Sequence, residues 1–203
     1  MKPGQQLADS PNTAAAAGPM INGVPVNRHL IYFFLALAGC ATDLVTKEVI
    51  FRWRGLPGQK GIVWLVEGYV GIETALNRGA LFGMGAGGSR YFAYLAIGAV
   101  IGVVAWLFLL RAARDRLLTV ALGIISGGIL GNLYDRLGLW DHGPLPAAMQ
   151  NLGYETAVRD WILWCWNFKQ FTWPNFNIAD SLLVCGAGLL LWHAFMMREP
   201  KRE

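Results

Sequence analysis

The chain of 203 residues has the length of a single domain, and 55% of its residues are hydrophobic while only 15% are charged. This composition excludes an ordinary soluble domain. The formal net charge of +4 is distributed beside apolar runs rather than along one basic surface, so no nucleic-acid partner is expected.

Residues 1–27 are rich in Ala, Pro, Gly and Asn and lack the apolar core of a signal peptide, which predicts a disordered cytoplasmic tail. Residues 28–198 are predicted to form one membrane domain with four spans. Each span is an apolar run close to the roughly 20 residues that cross a bilayer. The predicted spans are residues 29–50, 91–110, 117–134 and 178–197.

Basic residues beside the spans predict the orientation, because positive residues next to span ends mark the cytoplasmic side. They lie between spans two and three and after span four, at Arg111, Arg114, Arg116, Arg198, Lys201 and Arg202. Both termini are therefore expected in the cytoplasm, with the segments 51–90 and 136–176 outside.

The first outer segment contains two short β-rich runs, 62–66 and 69–75, around the turn Glu67-Gly68. This pattern predicts a β-hairpin on the outer membrane surface. The glycine cluster Gly83–Gly88 lacks the lysine of a phosphate loop and predicts a flexible turn into span two.

Span three carries Gly123, Gly127 and Gly131 at four-residue spacing. In a membrane helix this spacing makes a smooth groove that allows close packing of a neighbouring helix.

The second outer segment divides into a polar stretch, 138–156, and an aromatic stretch, 161–173. The polar stretch predicts a surface insertion. The aromatic stretch predicts an interfacial loop, and membrane anchoring and substrate contact both remain open for it. The predicted fold class is an all-α membrane protein with four transmembrane helices, a small extracytoplasmic β-hairpin or sheet, and this aromatic interfacial loop.

Carboxylates at the outer span ends are the candidate functional groups, because charge inside a membrane is costly. The predicted spans bring four aspartates to the same depth in the membrane: Asp43, Asp135, Asp160 and Asp180. Asp43 and Lys47 are four residues apart on one helix face and should form an ion pair.

Amides and a guanidinium accompany these acids. Asn132 lies three residues before Asp135 and four before Arg136, and Asn177 lies three before Asp180. Such groups can orient carboxylates and hydrogen-bond a peptide backbone.

Four blocks of the chain resemble the signature blocks of the lipoprotein signal peptidase (signal peptidase II) family. The likeness covers about residues 30–197, in the family's order. The blocks are Asp43-x-x-x-Lys47, Asn77-x-Gly-Ala-x-Phe82, Gly127-Gly-x-x-Gly-Asn132-x-x-Asp135-Arg136 and Phe176-Asn-x-Ala-Asp180.

The resemblance implies a catalytic pair of aspartates, here Asp180 and Asp160. The sequence departs from the family pattern at Arg159, which replaces a valine, and in a longer gap between Arg136 and Asp160. These departures leave Asp135 as a rival for Asp160. The supporting or substrate-binding residues would be Asn77, Gly79, Asn132, Asp135, Arg136, Asn177, Asp43 and Lys47.

Two neighbouring carboxyls share one proton, so the ionised one can activate water while the protonated one polarises the scissile carbonyl and later protonates the leaving amine. No cofactor or metal is expected, and His29, His142 and His193 are too scattered to form a ligand cluster.

The implied substrate is a bacterial prolipoprotein with a diacylglyceryl-modified cysteine. The implied location is the cytoplasmic (inner) membrane, among membrane lipids, with the active site facing outward and the chain acting as a monomer. Two alternative functions are open: the chain could be a small transporter or proton-conducting protein, or a membrane binding protein without catalytic activity.

Overall fold

The structure, a computed structural model, describes residues 18–79, 88–141 and 143–197. In chain order the elements are β1 (Met20–Ile21), β2 (Val24–Pro25), α1 (Val26–Arg54), β3 (Val63–Val66), β4 (Val70–Asn77), α2 (Ser89–Val104, continued by a π-helical turn at Ala105–Leu109), α3 (Arg116–Arg136), α4 (Ala147–Gln150), β5 (Val158–Trp166), β6 (Phe171–Phe176) and α5 (Ile178–Met196).

Within the described residues, four helices are long and apolar enough to cross a membrane: α1, α2 with its π-helical turn, α3 and α5. Helix α3 is the central one, because 50% of its most apolar stretch is buried, whereas only 11–17% of the corresponding stretch is buried in the other three helices. It packs against both α1 and α5. The chain is therefore a membrane protein, and α1 extends to Arg54, beyond the predicted end at residue 50.

The glycines of α3 explain this close packing. A Cβ on Gly123 would lie 3.2 Å from the carbonyl oxygen of Tyr32, and one on Gly127 would lie 3.1 Å from that of Ala36. Glycine thus lets the backbones of α1 and α3 approach, as the four-residue spacing predicted.

The strands β3 to β6 form a four-stranded antiparallel sheet in chain order. The predicted hairpin is confirmed as β3 and β4, with Gly68 at φ +79° in the turn between them. Two other expectations were wrong. The fold is not all-α, and the aromatic stretch 161–173 is not a loop, because most of it belongs to β5 and β6.

Alternation explains why the aromatic stretch forms a strand. Leu163 and Cys165 are buried, whereas Trp164 and Trp166 between and after them are exposed. This period of two is that of a strand with one face packed and one face open. The density of the tryptophans favours an interfacial loop, whereas their alternate spacing is that of a strand.

The predicted tail and insertion also differ from expectation. Residues 1–17 lie outside the described part, but β1 and β2 pair just before α1, and Val24 is fully buried. The stretch 138–156 is not only surface, because Trp140 and Leu145 are buried. Several predictions fall outside the described residues, namely those on Phe82, most of the turn Gly83–Gly88, His142 and the basic residues after Met197.

Candidate active site

The sheet places Asp160 next to the start of α5, where Asp180 is the third residue. In β5, Asp160 lies opposite Ala75 of β4, and Asn77 is two residues further along the same face. Asp180 follows the N-cap residue Asn177 of α5. The strand and the helix thus meet at one end of the helix bundle.

One amide side chain contacts both acids. Asn177 donates from Nδ2 to Oδ1 of Asp160 at 2.7 Å, and its own Oδ1 accepts from the backbone N–H of Asp180 at 2.9 Å. Its backbone N–H donates to Oδ2 of Asp180 at 3.1 Å, which completes a capping box. We call Asp160 and Asp180 the aspartate pair.

Two further amides complete the donors to the pair. Asn132 on α3 donates from Nδ2 to Oδ1 of Asp180 at 2.9 Å. The Asn77 side chain hydrogen-bonds Asp160, and its Oδ1 accepts from the backbone N–H of Gly79 at 3.0 Å. Asn77 is therefore both a turn residue and a partner of Asp160.

The environment of Asp160 favours its protonated form. The residue is 2% exposed, and this burial raises the pKa of its carboxyl well above the ordinary value of 3.8, with the charge of Asp180 raising the pKa further. The charge of Lys47 and the hydrogen bonds from Asn177 and Asn77 act in the opposite direction and lower this pKa. Asp180 instead lies in the first turn of α5, where the helix dipole favours an anion.

A second group of acids lies beside the pair and is bound by cations. Lys47 Nζ contacts Oδ2 of Asp43 at 2.7 Å and Oδ2 of Asp135 at 3.1 Å, with all three side chains fully buried. The predicted pairing of Asp43 with Lys47 is confirmed. We call Asp43, Lys47, Asp135 and Arg159 the ion-pair cluster.

Asp135, the rival for the catalytic role, is saturated with donors. Arg159 donates to its Oδ1 from Nε at 3.0 Å and Nη2 at 2.9 Å, and to its Oδ2 from the backbone N–H at 3.0 Å. Sequence reasoning missed this partner, although the signal was present as a charged residue at a position where the family pattern has valine.

Asp43 joins α1 to the first turn of α5. Its Oδ1 accepts from the backbone N–H of Ala179 at 2.9 Å, which satisfies one of the donors that a helix N-terminus leaves open. A Cβ on Gly131 would collide with the Asp43 carboxylate, so glycine is required at this point of α3.

The ion-pair cluster also orients a donor of the aspartate pair. The Oδ1 of Asn132 accepts from Lys47 Nζ at 2.9 Å and from Asn177 Nδ2 at 3.1 Å. Its Nδ2 is therefore directed at Asp180. Lys47 thereby contributes to the site through Asn132.

Arg136 faces the same region from the end of α3. Its Nη2 donates to the carbonyl of Gly79 at 2.9 Å, and its guanidinium lies 5.0 Å from the ring centre of Phe92. Its Nη1 is buried without a hydrogen-bond partner among the described residues. This N–H group can donate to an added carbonyl.

A groove of about 660 Å³ begins at Asp180 and runs between the β5–β6 hairpin and α5. Its polar end contains Asn77, Asn132, Arg136 and Asp180. The rest is lined mainly by apolar side chains, including those of Trp164, Trp173, Phe176, Leu183 and Val184. The groove can hold an apolar chain beside a polar reaction centre.

The model of the signal peptidase (SPase) II family matches residues 35–196. The chain is 53% identical over 188 residues to a lipoprotein signal peptidase of Rhodopirellula baltica. The aligned region covers 93% of this chain and 80% of that protein. It is 30% identical to one of Symbiobacterium thermophilum, over 83% of this chain and 96% of that protein.

Solved structures show the same fold. A bacterial membrane enzyme determined by the in meso method at 1.9 Å resolution has a TM-score of 0.62 and 25% identity, over 85% of this chain and 95% of that one. A second such structure, at 2.3 Å resolution, has a TM-score of 0.64 and 24% identity, over 88% and 94%. The chain therefore belongs to the signal peptidase II family, the membrane aspartic peptidases that remove signal peptides from prolipoproteins.

Proposed function

We propose that Asp160 and Asp180 are the catalytic residues and hydrolyse the peptide bond by activating a water molecule. The observation that carries this proposal is Asn177, whose side-chain NH₂ group donates to the Asp160 carboxyl while its backbone N–H donates to the Asp180 carboxyl. Both carboxyls are bound by one residue, and the charge of Asp180 acts on Asp160, so the two acids can share a proton.

The two environments divide the roles. Asp180, at the start of α5, is the anion that takes a proton from water, and the water oxygen attacks the scissile carbonyl. Asp160 carries the shared proton and hydrogen-bonds the carbonyl oxygen, where negative charge develops. When the intermediate collapses, one of the two protonated carboxyls protonates the leaving amine, and the pair again holds a single proton.

The surrounding polar residues would bind or position the substrate. The Nη1 group of Arg136, which has no partner in the part of the chain that the structure describes, suits a carbonyl of the substrate backbone. Asn132 and Asn177 hold the acids, while Asn77 and Gly79 form the polar turn at the groove. The ion-pair cluster supports these positions without taking part in proton transfer, and Asp135 belongs to that cluster because its oxygens are bound by cations.

The substrate is a prolipoprotein whose cysteine carries a diacylglyceryl group, and the apolar part of the groove holds the lipid and its neighbouring residues. Residues 28–198 form the peptidase domain, which acts as a monomer in the cytoplasmic membrane. The arginines of the α2–α3 connection lie at the end opposite the sheet. Both termini are thus cytoplasmic, the site faces outward, and the exposed aromatic side chains of the sheet contact the interface.

The test is cleavage of a diacylglyceryl-modified precursor by the purified protein in detergent, followed by gel mobility. Asp160→Asn and Asp180→Asn should each lower turnover by roughly 10²- to 10⁴-fold while the Tm stays close to that of the parent chain. Asp135→Asn is the matched comparison, and it should lower the Tm and leave measurable turnover. If a folded Asp160→Asn variant cleaves normally while Asp135→Asn does not, the assignment of the pair is wrong.

A further inference from the structure

Arg159 is a buried cation in the strand position immediately before Asp160. Its side chain is 2% exposed. It reaches Asp135 on α3 through Nε and Nη2, and Glu48 on α1 through Nη1 at 3.1 Å. Strand β5 is therefore tied to two membrane helices at the residue next to a catalytic carboxyl.

The insertion 138–156 provides a third contact for this guanidinium. Arg159 lies 5.1 Å from the ring centre of Trp140 and 5.9 Å from that of Phe51, and the two rings are 6.1 Å apart in an edge-to-face arrangement. Trp140 is 4% exposed. Cation–π contacts strengthen when water is excluded, so this burial makes the contact with Trp140 a substantial one.

The backbone of Arg159 is held as well as its side chain. Its N–H donates to Oδ2 of Asp135 at 3.0 Å, and its carbonyl accepts from Nδ2 of Asn177 at 3.4 Å. Successive side chains in a strand point to opposite faces, so Arg159 points toward the insertion when Asp160 points toward Asn177. A change on the Arg159 face therefore moves Asp160 through the shared backbone.

We propose that Arg159 is a positioning residue for Asp160, and that the insertion contributes to catalysis by supplying Trp140 as the surface on which the Arg159 guanidinium is held. This inference rests on the proposed role of Asp160. Neither Arg159 nor Trp140 lines the groove, so the effect on the reaction is exerted on the position of the carboxyl and not on the substrate.

The physical consequence of losing this contact is a looser β5 and a more solvated Asp160. The charged groups that face Asp160 from the helices remain in place: Asp180 on α5, Lys47 on α1 and Arg136 on α3. Because burial is the largest cause of the raised pKa of Asp160, added water lowers this pKa toward its ordinary value.

The experiment compares four variants of the full chain: Trp140→Ala, Trp140→Phe, Arg159→Lys and Leu139→Ala. Leu139 is the matched control because it neighbours Trp140 and is exposed. For each variant kcat and KM are measured on the lipid-modified precursor across pH, together with the Tm.

Trp140→Ala and Arg159→Lys should lower kcat on the order of tenfold or more at unchanged KM, because displacing a catalytic group by a fraction of an ångström reduces its effectiveness. The loss of activity at high pH should begin at lower pH in both variants. Trp140→Phe should retain most of kcat, because a phenylalanine ring can still contact the Arg159 guanidinium. Leu139→Ala should match the parent chain.

A folded Arg159→Lys variant with the parent kcat and pH profile overturns the inference, and this variant decides the matter if Trp140→Ala does not fold. A fall in kcat that tracks the Tm without a pH shift overturns it too, since a purely structural role predicts that result. Asp160→Asn is measured in parallel. If it is inactive when Arg159→Lys is normal, only this inference fails; if it is active, the proposed function fails.

Discussion

Two groups of acids lie side by side at one end of the helix bundle, and they differ in what binds them. In the ion-pair cluster, Asp43 and Asp135 contact the cations of Lys47 and Arg159. In the aspartate pair, the donors to Asp160 and Asp180 are amides. A cation binds a carboxylate as an ion pair, whereas a neutral amide orients a carboxyl without supplying a charge.

Carboxyls bound by cations thus lie next to the two carboxyls proposed to be catalytic. Asn132 connects the two groups, because its oxygen accepts from Lys47 while its NH₂ group donates to Asp180. The fixed charges of the cluster therefore set the direction of a hydrogen bond in the pair without transferring charge to it.

The largest expected effect comes from Lys47→Met, which removes the cation shared by two buried carboxylates. The variant should lose about 3–5 kcal/mol of stability, because breaking a buried ion pair leaves an uncompensated charge. Unfolding in a denaturing detergent titration measures this loss. The matched control is Lys169→Met, at the partly exposed pair with Glu73, which should cost under about 1 kcal/mol. Equal losses in the two variants would contradict the assignment of the cluster as structural.

Gly131→Ala should have the next largest effect, since its new Cβ collides with the carboxylate of Asp43. Overpacking of this kind costs about 1–3 kcal/mol. Cleavage should also fall, because Asp43 binds the backbone two residues after Asn177, in the first turn of α5. Gly188→Ala is the control, because a Cβ there meets open space and the substitution should leave the Tm unchanged or slightly raised. A similar Tm for both variants would argue against close packing at Gly131.

The raised pKa of Asp160 predicts a pH dependence of stability. The folded chain holds this proton more tightly than the unfolded chain, so the contribution of Asp160 is fully present below the ordinary carboxyl pKa and is lost as pH rises through the raised pKa. The slope for one proton is at most about 1.4 kcal/mol per pH unit. The difference in unfolding free energy between the parent chain and Asp160→Asn, measured across pH, isolates this slope. A difference that rises with pH would contradict the direction of the shift.

The smallest effect should come from Tyr32→Phe, which removes a neutral hydrogen bond inside the bundle. The Tyr32 hydroxyl lies 2.9 Å from Oγ of Ser126, far along the helices from both groups of acids. Such bonds in membrane proteins contribute about 0.6 kcal/mol, so the Tm should fall slightly and the cleavage rate should not change. Tyr94→Phe, at an exposed tyrosine, is the control. A stability loss as large as that of Lys47→Met would show that charge is not what distinguishes the cluster.

Features that depend on neighbouring residues were predictable from the sequence. Apolar runs predicted the four membrane helices, helical periodicity predicted the contact of Asp43 with Lys47, and glycine spacing predicted close packing of a neighbouring helix on α3, which the structure shows to be α1. The resemblance to the family blocks also predicted Asp180 and Asp160 as the catalytic pair, which stays a prediction. Each of these signals lies within a few residues of the chain, where hydrophobic length and helix geometry decide the outcome.

The tertiary structure alone decided the contacts between distant segments. It made a strand of the aromatic stretch, bound Arg159 to Asp135 across 24 residues, and placed Asn177 against Asp160 across 17. These outcomes depend on the register of β5 against β4 and on the docking of the sheet on α1 and α3. Local composition carries no information about either, because register and docking are set by the packing of all the elements together.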